Sequence, residues 1–328
     1  MKANQTCGQN HTQDQARSVR ISEGILKLIG KTPLVKLTRI TRGFGCSVYA
    51  KLEFCNPSGS LKDRVALYVV EDAERRGLLK PGDVIVEATS GNMGMAFALV
   101  ASVKGYRCIF TLPESTSEEK IKALKLFGAE IIITPKGLPP QDERSCYKVA
   151  QRVAKETGGF YVNQYFNPLN PETYFKTMGP EIWYDTDGGV DVVVCGMGTG
   201  GTITGVGRYL KGRNPNIKII GVEPKGSVYM NYFKEGVLIK ASGFNIEGIG
   251  KNFIPGVVDF RYIDDVVQVS DEEAIEMVNA LIKKEGILVG GSSGAVMAAT
   301  LKYASTVGRD KCIVAVFPDT GFKYLSKY

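Results

Sequence analysis

The sequence predicts an α/β protein made of two doubly wound domains with mostly parallel sheets. From about residue 83 onward, short runs rich in β-branched residues alternate with longer stretches of helical periodicity. The predicted strands are nearly continuous apolar runs, as expected of parallel strands that helices cover on both faces. A length of 328 residues also exceeds one typical domain, so two domains are expected.

Seven runs are predicted to be strands, and two helix starts carry a recognisable signal. The strands are predicted over residues 84–87, 108–112, 130–134, 160–163, 190–195, 217–223 and 311–317. Thr116 with Glu119, and Ser270 with Glu273, have the spacing of a capping box, in which a hydroxyl and a carboxylate satisfy free backbone N–H groups. We therefore expect helices to follow Thr116 and Ser270.

Composition excludes several classes of protein. The formal net charge of +7 comes from residues scattered along the chain, without the run of like charges that a nucleic-acid interface requires. No stretch reaches the roughly 18 apolar residues of a membrane helix, and residues 1–20 are polar without an apolar signal core. We expect a cytoplasmic protein with a flexible N-terminal tail at residues 1–20.

Histidine and cysteine usage narrows the possible chemistry. His11 is the only histidine, so the chain has almost none of the residues that Ser/His/Asp or Cys/His catalysis needs. The seven cysteines form no Cys-x-x-Cys pair and are expected to be reduced thiols. The one possible ligand spacing, Cys7 to His11, lies in the polar tail, and no metal or haem site is predicted there. Lysine, serine or a cofactor must therefore move protons.

A glycine-rich segment, residues 196–202 (GMGTGGT), follows one predicted strand and precedes a predicted helix. Unpaired N–H groups at a helix start, with no side chains in the way, form a site for a phosphate dianion. Glycines that serve only a tight turn are the alternative, which the added threonine hydroxyls make less favourable. The candidate phosphate-binding residues are Gly198, Thr199, Gly200, Gly201 and Thr202.

The same segment also fits the dinucleotide fingerprint Gly-x-Gly-x-x-Gly at Gly196, Gly198 and Gly201. Glu223 follows about twenty residues later at the end of the next predicted strand, as a dinucleotide fold requires. Taken alone, this motif would support an NAD-binding Rossmann oxidoreductase. A lone fingerprint is weak, however, and the chain has further motifs that a nicotinamide enzyme does not need. The oxidoreductase is therefore the alternative function.

Lys62 lies in residues 56–64 (NPSGSLKDR), where a turn gives way to a predicted helix. The positive end of a helix disfavours the ammonium form of a lysine in its first turn. A neutral amine there can add to an aldehyde as a Schiff base. A lysine at a helix start is otherwise usually just solvated, so this interpretation depends on the neighbouring motifs.

Two more turns between a predicted strand and a predicted helix carry small polar residues. Residues 89–94 (TSGNMG) offer donors that could hold a substrate carboxylate, although an N-cap followed by packing glycines would look the same. Residues 290–294 (GGSSG) offer a hydroxyl that could donate to a neutral pyridine nitrogen, with helix capping as the alternative. The four turns together indicate one phosphorylated aldehyde cofactor.

At these residues the sequence resembles the cysteine synthase and cystathionine β-synthase family of pyridoxal-5′-phosphate (PLP) enzymes, of fold type II. The resemblance runs from about residue 29 to residue 325, and residues 170–211 and 248–255 (GIGKNFIP) are especially similar. Related PLP dehydratases carry other residues after the serine of the Lys62 motif and in the glycine-rich loop. The resemblance implies a large cofactor-binding domain of residues 21–56 plus 168–328, a smaller mobile domain of residues 57–167, PLP in the cleft between them, and a homodimer.

The resemblance also implies a role for each matching position. Lys62 would bind PLP as a Schiff base and act as the catalytic base at the α-carbon. Asn92 would hydrogen-bond the phenolic oxygen of PLP, the 198–202 loop would cradle its phosphate, and Ser292 would face its pyridine nitrogen. The residues expected to hold the substrate carboxylate are Thr89, Ser90, Met93 and Gln164. The methionine, which acts through its backbone N–H, departs from the threonine more usual in the family.

The implied reaction replaces the β-substituent of O-acetylserine, serine or cysteine with sulfide or a thiol, through an α-aminoacrylate, and gives cysteine or cystathionine. Residues 135–147, 224–229 and 318–319 resemble the cystathionine β-synthases more than the plain cysteine synthases. The chain ends at Tyr328, so the regulatory C-terminal module of many cystathionine β-synthases is expected to be absent. The leaving group and the nucleophile stay open, and so does a PLP-binding regulatory paralogue without turnover.

Overall fold

A computed structural model describes residues 22–89 and 91–327, which form two sheets surrounded by helices. The strands are β1 (Leu34–Lys36), β2 (Ser47–Leu52), β3 (Val84–Ala88), β4 (Arg107–Pro113), β5 (Glu130–Thr134), β6 (Phe160–Tyr161), β7 (Val192–Gly196), β8 (Lys218–Pro224), β9 (Asp265–Val269) and β10 (Cys312–Phe317). The α-helices are α1 (Lys62–Arg75), α2 (Asn92–Lys104), α3 (Glu118–Leu126), α4 (Cys146–Thr157), α5 (Leu169–Lys176), α6 (Met178–Asp185), α7 (Gly201–Arg213), α8 (Tyr229–Glu235), α9 (Asp271–Glu285) and α10 (Gly291–Ala304).

The six-stranded sheet has the order β1-β2-β10-β7-β8-β9, and only the edge pair β1–β2 is antiparallel among its described strands. The four-stranded sheet, β5-β4-β3-β6, is parallel throughout. The prediction of an α/β fold with mostly parallel sheets is therefore confirmed. Parallel strands end at a common edge, so the loops that follow them lie close together in space.

The predicted strands all form, although their lengths differ from the sequence pattern. The strand predicted over residues 160–163 is only Phe160–Tyr161, because the chain turns at Asn163, which has a positive φ of 53°. Strands β1, β2 and β9 were not predicted. β1 is a three-residue edge strand that is mostly exposed, so it lacks the apolar run on which the prediction relied.

Two central helices have almost no exposed face. In α2 the residues from Met93 to Ala101 are buried, and in α10 those from Ser292 to Thr300 are buried. Helices that are apolar all round belong in the interior of a protein rather than on its surface. Their first turns therefore lie inside the molecule, and this brings Asn92 and Ser292 to an internal site.

The capping-box prediction is confirmed at one helix and wrong at the other. The Glu273 N–H donates to Ser270 Oγ at 3.2 Å, and the Ser270 N–H donates to Glu273 Oε2 at 2.8 Å, at the start of α9. Helix α3 instead begins at Glu118 with Ser117 as its N-cap. The Thr116 N–H donates to the Pro113 carbonyl, and its Oγ1 has no hydrogen-bond partner in the described part of the chain, so Thr116 belongs to the preceding turn and does not cap the helix.

The two sheets occupy different parts of the chain, but α1 contacts helices of both. It packs against α2, which follows β3, and against α5, which precedes β7. The domain limits of residues 21–56 plus 168–328 and residues 57–167 stay a prediction. No helix in the described part of the chain is both long and apolar enough to cross a membrane.

An ion network fixes the start of α1. The buried Arg64 donates from Nε to Glu53 Oε2 at 2.7 Å and from Nη1 to Glu181 Oε1 at 2.6 Å. The fully buried Lys51 of β2 pairs with Glu181 and with Asp185, both at 2.9 Å. Burial alone would raise the pKa of Glu181, but the charges and hydrogen bonds of Arg64 and Lys51 outweigh it and lower that pKa to about 2.

Arg64→Met should destabilise the fold by about 3–5 kcal/mol, because it leaves Glu53 charged and buried without its partner. Urea unfolding followed by circular dichroism measures this loss. Arg107→Met is the matched control, because Arg107 pairs with Glu130 on the surface and such pairs contribute about 1 kcal/mol or less. A loss at Arg64 no larger than that of the control would contradict a structural role for the network.

Candidate active site

The loops that follow the parallel strands line one cavity of about 1300 Å³. Its lining residues come directly after β3, β5, β6 and β10 and from the end of β7. The structure brings most of the candidate site residues to this cavity: Lys62, Thr89, Asn92, Met93, Gln164, Gly198, Thr199, Gly200, Thr202 and Ser292. Gly201 does not line the cavity, and Ser90 lies outside the described residues, as do Cys7 and His11.

Lys62 is the first residue of α1, and its position is fixed from both sides. The preceding Leu61 N–H donates to the Pro318 carbonyl at 2.9 Å, and Arg64 holds the same turn through the ion network. Burial lowers the pKa of Lys62 to about 8, the positive charge of Lys251 adds to this shift, and Glu87 opposes it. Part of the lysine is therefore the neutral amine near neutral pH.

Glu87 is a functional candidate that the sequence analysis missed. It is fully buried near the end of β3, and its Oε1 accepts from Gln164 Nε2 at 2.9 Å. Its Oε2 has no hydrogen-bond partner in the described part of the chain. Burial raises the pKa of Glu87 to about 8, although Gln164 and Lys62 oppose the shift. The sequence did contain a signal for this residue, namely a carboxylate inside an apolar predicted strand. Burying a carboxylate costs free energy, so its presence there indicates a function.

Gln164 holds Glu87 rather than pointing its donors at the cavity. Its amide nitrogen donates to Glu87 Oε1 and to the Ala88 carbonyl, both at 2.9 Å. An amide nitrogen carries two hydrogens, so neither is left for a substrate carboxylate in this conformation. The predicted role of Gln164 in substrate binding stays a prediction.

The glycine-rich loop has the close packing of a phosphate cradle. A Cβ at Gly198 would lie 2.2 Å from the Gly248 carbonyl oxygen, and one at Gly201 would lie 2.1 Å from Asn170 Oδ1. Gly200 has a φ of 81° and precedes α7, so only glycine fits its conformation easily. The Tyr229 hydroxyl donates to the Gly198 carbonyl at 2.6 Å. The loop therefore presents backbone N–H groups at a rigid helix start.

Glu223, the residue that would bind the ribose of a dinucleotide, already has hydrogen-bond partners within the chain. It is fully buried, and its two carboxylate oxygens accept from the N–H groups of Tyr229 and Met230, each at 2.8 Å. These bonds cap α8. The carboxylate is therefore not available to a ribose hydroxyl, and the structure gives no support to the NAD-binding alternative.

Thr89 and Asn92 are oriented by hydrogen bonds within the chain. Thr89 Oγ1 accepts from the N–H groups of Gly91 at 3.0 Å and Gly94 at 3.2 Å, which leaves its own hydroxyl hydrogen to donate. Asn92 Nδ2 donates to the buried Asp319 at 2.7 Å, and Asn92 Oδ1 accepts from Lys323 Nζ at 2.9 Å. The Tyr324 hydroxyl is a further hydrogen-bond partner of Asn92. Neither Asp319 nor Lys323 was a predicted site residue.

The remaining predicted residues lie in the first turns of the two buried helices. Ser292 is only 2% exposed and borders the cavity from α10. Met93 buries its side chain in the hydrophobic core, so its backbone is the part that can serve a ligand. The N–H groups of a first helical turn have no partner inside the helix, and they are suited to a carboxylate.

These groups fit a phosphorylated aldehyde. The glycine-rich loop offers N–H donors for the phosphate, and Lys62 offers a partly neutral amine for the aldehyde. Ser292 offers a hydroxyl for a ring nitrogen. The fold and the cavity thus define an α/β enzyme that holds a phosphorylated aldehyde where its parallel strands end.

The chain belongs to the pyridoxal-phosphate dependent enzyme family, whose model matches residues 25–319. It is 41% identical over 305 residues to a cysteine synthase of Staphylococcus aureus, a match that covers 93% of this chain and 96% of that protein. It is 44% identical over 312 residues to a cystathionine beta-synthase of Apis mellifera, a match that covers 94% of this chain and 62% of that protein. The chain spans 56–62% of the length of the cystathionine beta-synthases it matches.

Solved structures agree with this assignment. O-ureido-L-serine synthase matches with a TM-score of 0.87 and 38% identity, over 94% of this chain and 95% of that one. A hydrogen sulfide-producing enzyme from Fusobacterium nucleatum matches with a TM-score of 0.86 and 37% identity, over 93% of this chain and 100% of that one. The predicted family, fold type II and PLP cofactor are therefore confirmed, while the roles of individual residues stay predictions.

Gly201→Ala should weaken retention of PLP by at least about tenfold, because the added Cβ must displace Asn170 and shift the loop that holds the phosphate. Dialysis of the holoenzyme followed by absorbance measures this change. Gly212→Ala is the control in the same helix, because a Cβ there meets no atom within 4 Å. Equal PLP retention in the two variants would contradict the prediction that this loop binds the phosphate.

Lys62 should be the residue that borohydride links to PLP, and Lys62→Ala should abolish this link, while Lys251→Ala should keep it. Only the neutral amine attacks an aldehyde, so the rate at which the apoenzyme takes up PLP should rise with pH, with its midpoint near pH 8. Stopped-flow absorbance measures the rate. Because Lys251 lowers the pKa of Lys62, the Lys251→Ala profile should move to higher pH. Peptide mapping that finds PLP on Lys251 would refute the assignment.

Proposed function

We propose that the enzyme replaces the β-substituent of O-acetylserine, serine or cysteine with sulfide or a thiol and forms cysteine or cystathionine. The observation that carries this proposal is the placement of Lys62, with its pKa of about 8, in one cavity with the N-terminal turn of α2 and the glycine-rich loop. Support also comes from the relatives, which include a cysteine synthase, cystathionine beta-synthases and an O-ureido-L-serine synthase.

Some residues of the site would bind the cofactor and the substrate, and Lys62 would transfer protons. The 198–202 loop would hold the phosphate, and Thr89 with the first N–H groups of α2 would hold the carboxylate of the amino acid. Asn92 and Ser292 would orient the cofactor. Bound PLP supplies an electron sink that acidifies the hydrogen on the α-carbon of the amino acid.

Lys62 would then move the protons. Its neutral Nζ takes the proton from the α-carbon, and the β-substituent leaves with the electron pair of its bond to the β-carbon. With serine the leaving group is hydroxide, and Lys62 passes the proton to it so that water departs. The thiol sulfur forms the new bond to the β-carbon, and the proton that the thiol loses returns through Lys62 to the α-carbon. The balance is one amino acid and one thiol in, and one thioether and one water out.

Two features favour a cystathionine-forming reaction within this class. Residues 135–139, part of the segment that resembles the cystathionine β-synthases, line the cavity. The volume of about 1300 Å³ exceeds the roughly 300–1,000 Å³ of an ordinary ligand pocket, so a second amino acid has room. By resemblance we also propose a cytoplasmic homodimer.

Turnover should occur when serine or cysteine is paired with homocysteine, as well as when O-acetylserine is paired with sulfide. Mass spectrometry of the products, with each donor crossed with each acceptor, measures this. Lys62→Ala should be inactive in every pair, because it lacks the base. If only O-acetylserine with sulfide turns over, the enzyme is a plain cysteine synthase. If PLP binds and no pair turns over, the protein is the catalytically silent paralogue.

A further inference from the structure

Lys251 is a second lysine of the cavity, and the reaction above gives it no role. It follows Gly250 in the loop after β8 and α8 and lines the same cavity as Lys62. Its Nζ donates to the Tyr165 hydroxyl at 2.9 Å and lies 4.4 Å from the centroid of the Tyr165 ring. The ammonium therefore rests on an aromatic side chain rather than in open solvent.

Lys251 rests on three aromatic rings that pack edge to face, and we call them the aromatic cluster: Tyr147, Tyr165 and Phe253. Their centroids are 5.3 Å apart for Tyr147 and Tyr165, 5.7 Å for Tyr147 and Phe253, and 5.6 Å for Tyr165 and Phe253. The Lys251 ammonium lies 6.0 Å from the Phe253 centroid as well. Aromatic faces attract a cation, so the cluster holds the ammonium in place without neutralising its charge.

The charge of Lys251 has no carboxylate partner among the salt bridges of residues 22–89 and 91–327. Lys120, another lysine near the cavity, is by contrast paired with Glu247. Burial lowers the pKa of Lys251 to about 8, so the ammonium still predominates at pH 7. An ammonium that is partly removed from water and bonded to a neutral hydroxyl is suited to an anionic ligand.

The anion that fits is not the carboxylate of the donor amino acid. That carboxylate has its own proposed site in the first turn of α2, whereas Lys251 lies on the aromatic cluster, which comes from α4 and from the loops after β6 and β8. The cluster also offers apolar surface beside the charge, which suits a short carbon chain ending in a carboxylate. The surplus volume of the cavity accommodates such a second ligand.

We propose that Lys251 binds the carboxylate of the acceptor, so that the enzyme selects a thiol that carries a carboxylate over a neutral thiol. This inference rests on the proposed β-replacement reaction and specifies its second substrate class. Lys251 is then a specificity-determining residue, and the aromatic cluster positions its ammonium.

The test compares a thiol that carries a carboxylate with a neutral thiol of similar length, and with sulfide. With O-acetylserine as the common donor, kcat/KM is measured for 3-mercaptopropionate, 1-propanethiol and sulfide. Lys251→Met should lower the value for 3-mercaptopropionate relative to 1-propanethiol by about 10- to 100-fold, the size of a lost charge-assisted hydrogen bond. Lys251→Arg should restore most of the ratio. Lys240→Met removes an exposed cavity lysine and should leave the ratio unchanged.

The ratio of acceptors separates binding from any effect of Lys251 on Lys62, because every acceptor shares the same donor half-reaction. An equal loss for the charged and the neutral thiol overturns the proposal. A rise in the KM for O-acetylserine with every acceptor also overturns it, because Lys251 would then serve the donor. A wild-type enzyme without a preference for the charged thiol overturns it too.

A binding measurement keeps this inference separate from the reaction. Calorimetry on the holoenzyme measures the affinity for 3-(methylthio)propanoate, a thioether acid that cannot react as a thiol. Binding that is lost in Lys251→Met and kept in Lys240→Met supports the anion site even if no donor turns over, in which case only the proposed reaction fails. Equal binding by the two variants overturns the anion site whatever the catalytic result.

Discussion

The buried guanidinium of Arg64 is the interaction on which the position of the reactive lysine depends. A charge removed from water has to be paired, and Arg64 finds Glu53 after β2 and Glu181 on α6. These partners belong to segments more than one hundred residues apart, so the first turn of α1 is held from two directions at once. Lys62 lies two residues before Arg64 in this turn and takes its place in the cavity as a consequence.

The segment after β10 provides the second constraint on the site. Leu61 donates from its N–H to the Pro318 carbonyl, and Gly290 donates from its N–H to the Asp319 carbonyl. The same short stretch therefore positions the turn before Lys62 and the turn before Ser292. Its Asp319 carboxylate also accepts from Asn92. Three of the four predicted site motifs are thus tied to one strand end through hydrogen bonds that short sequence patterns do not show.

Loss of water around the ionisable groups gives the site its chemistry. Burial lowers the pKa of both Lys62 and Lys251 to about 8 and raises that of Glu87 to about 8, because it penalises the charged form in each case. The two lysines differ in surroundings rather than in basicity. Lys62 begins a helix beside the cofactor loops, whereas Lys251 lies on aromatic rings, and this difference favours covalent chemistry at the first and ion binding at the second.

The sequence by itself determined the parallel α/β architecture, the family and the four loops of the site. Apolar runs and glycine-rich turns are local features of the chain, and the combination of four such turns carried the resemblance to the family. Glu87, Asp319, Lys251 and the bonds that occupy Gln164 and Glu223 were decided by the tertiary structure. Their roles depend on which distant groups share a water-poor space with them. A short sequence pattern reports what a residue can do, but its desolvation and its partners arise only when strands far apart in the chain end at the same edge.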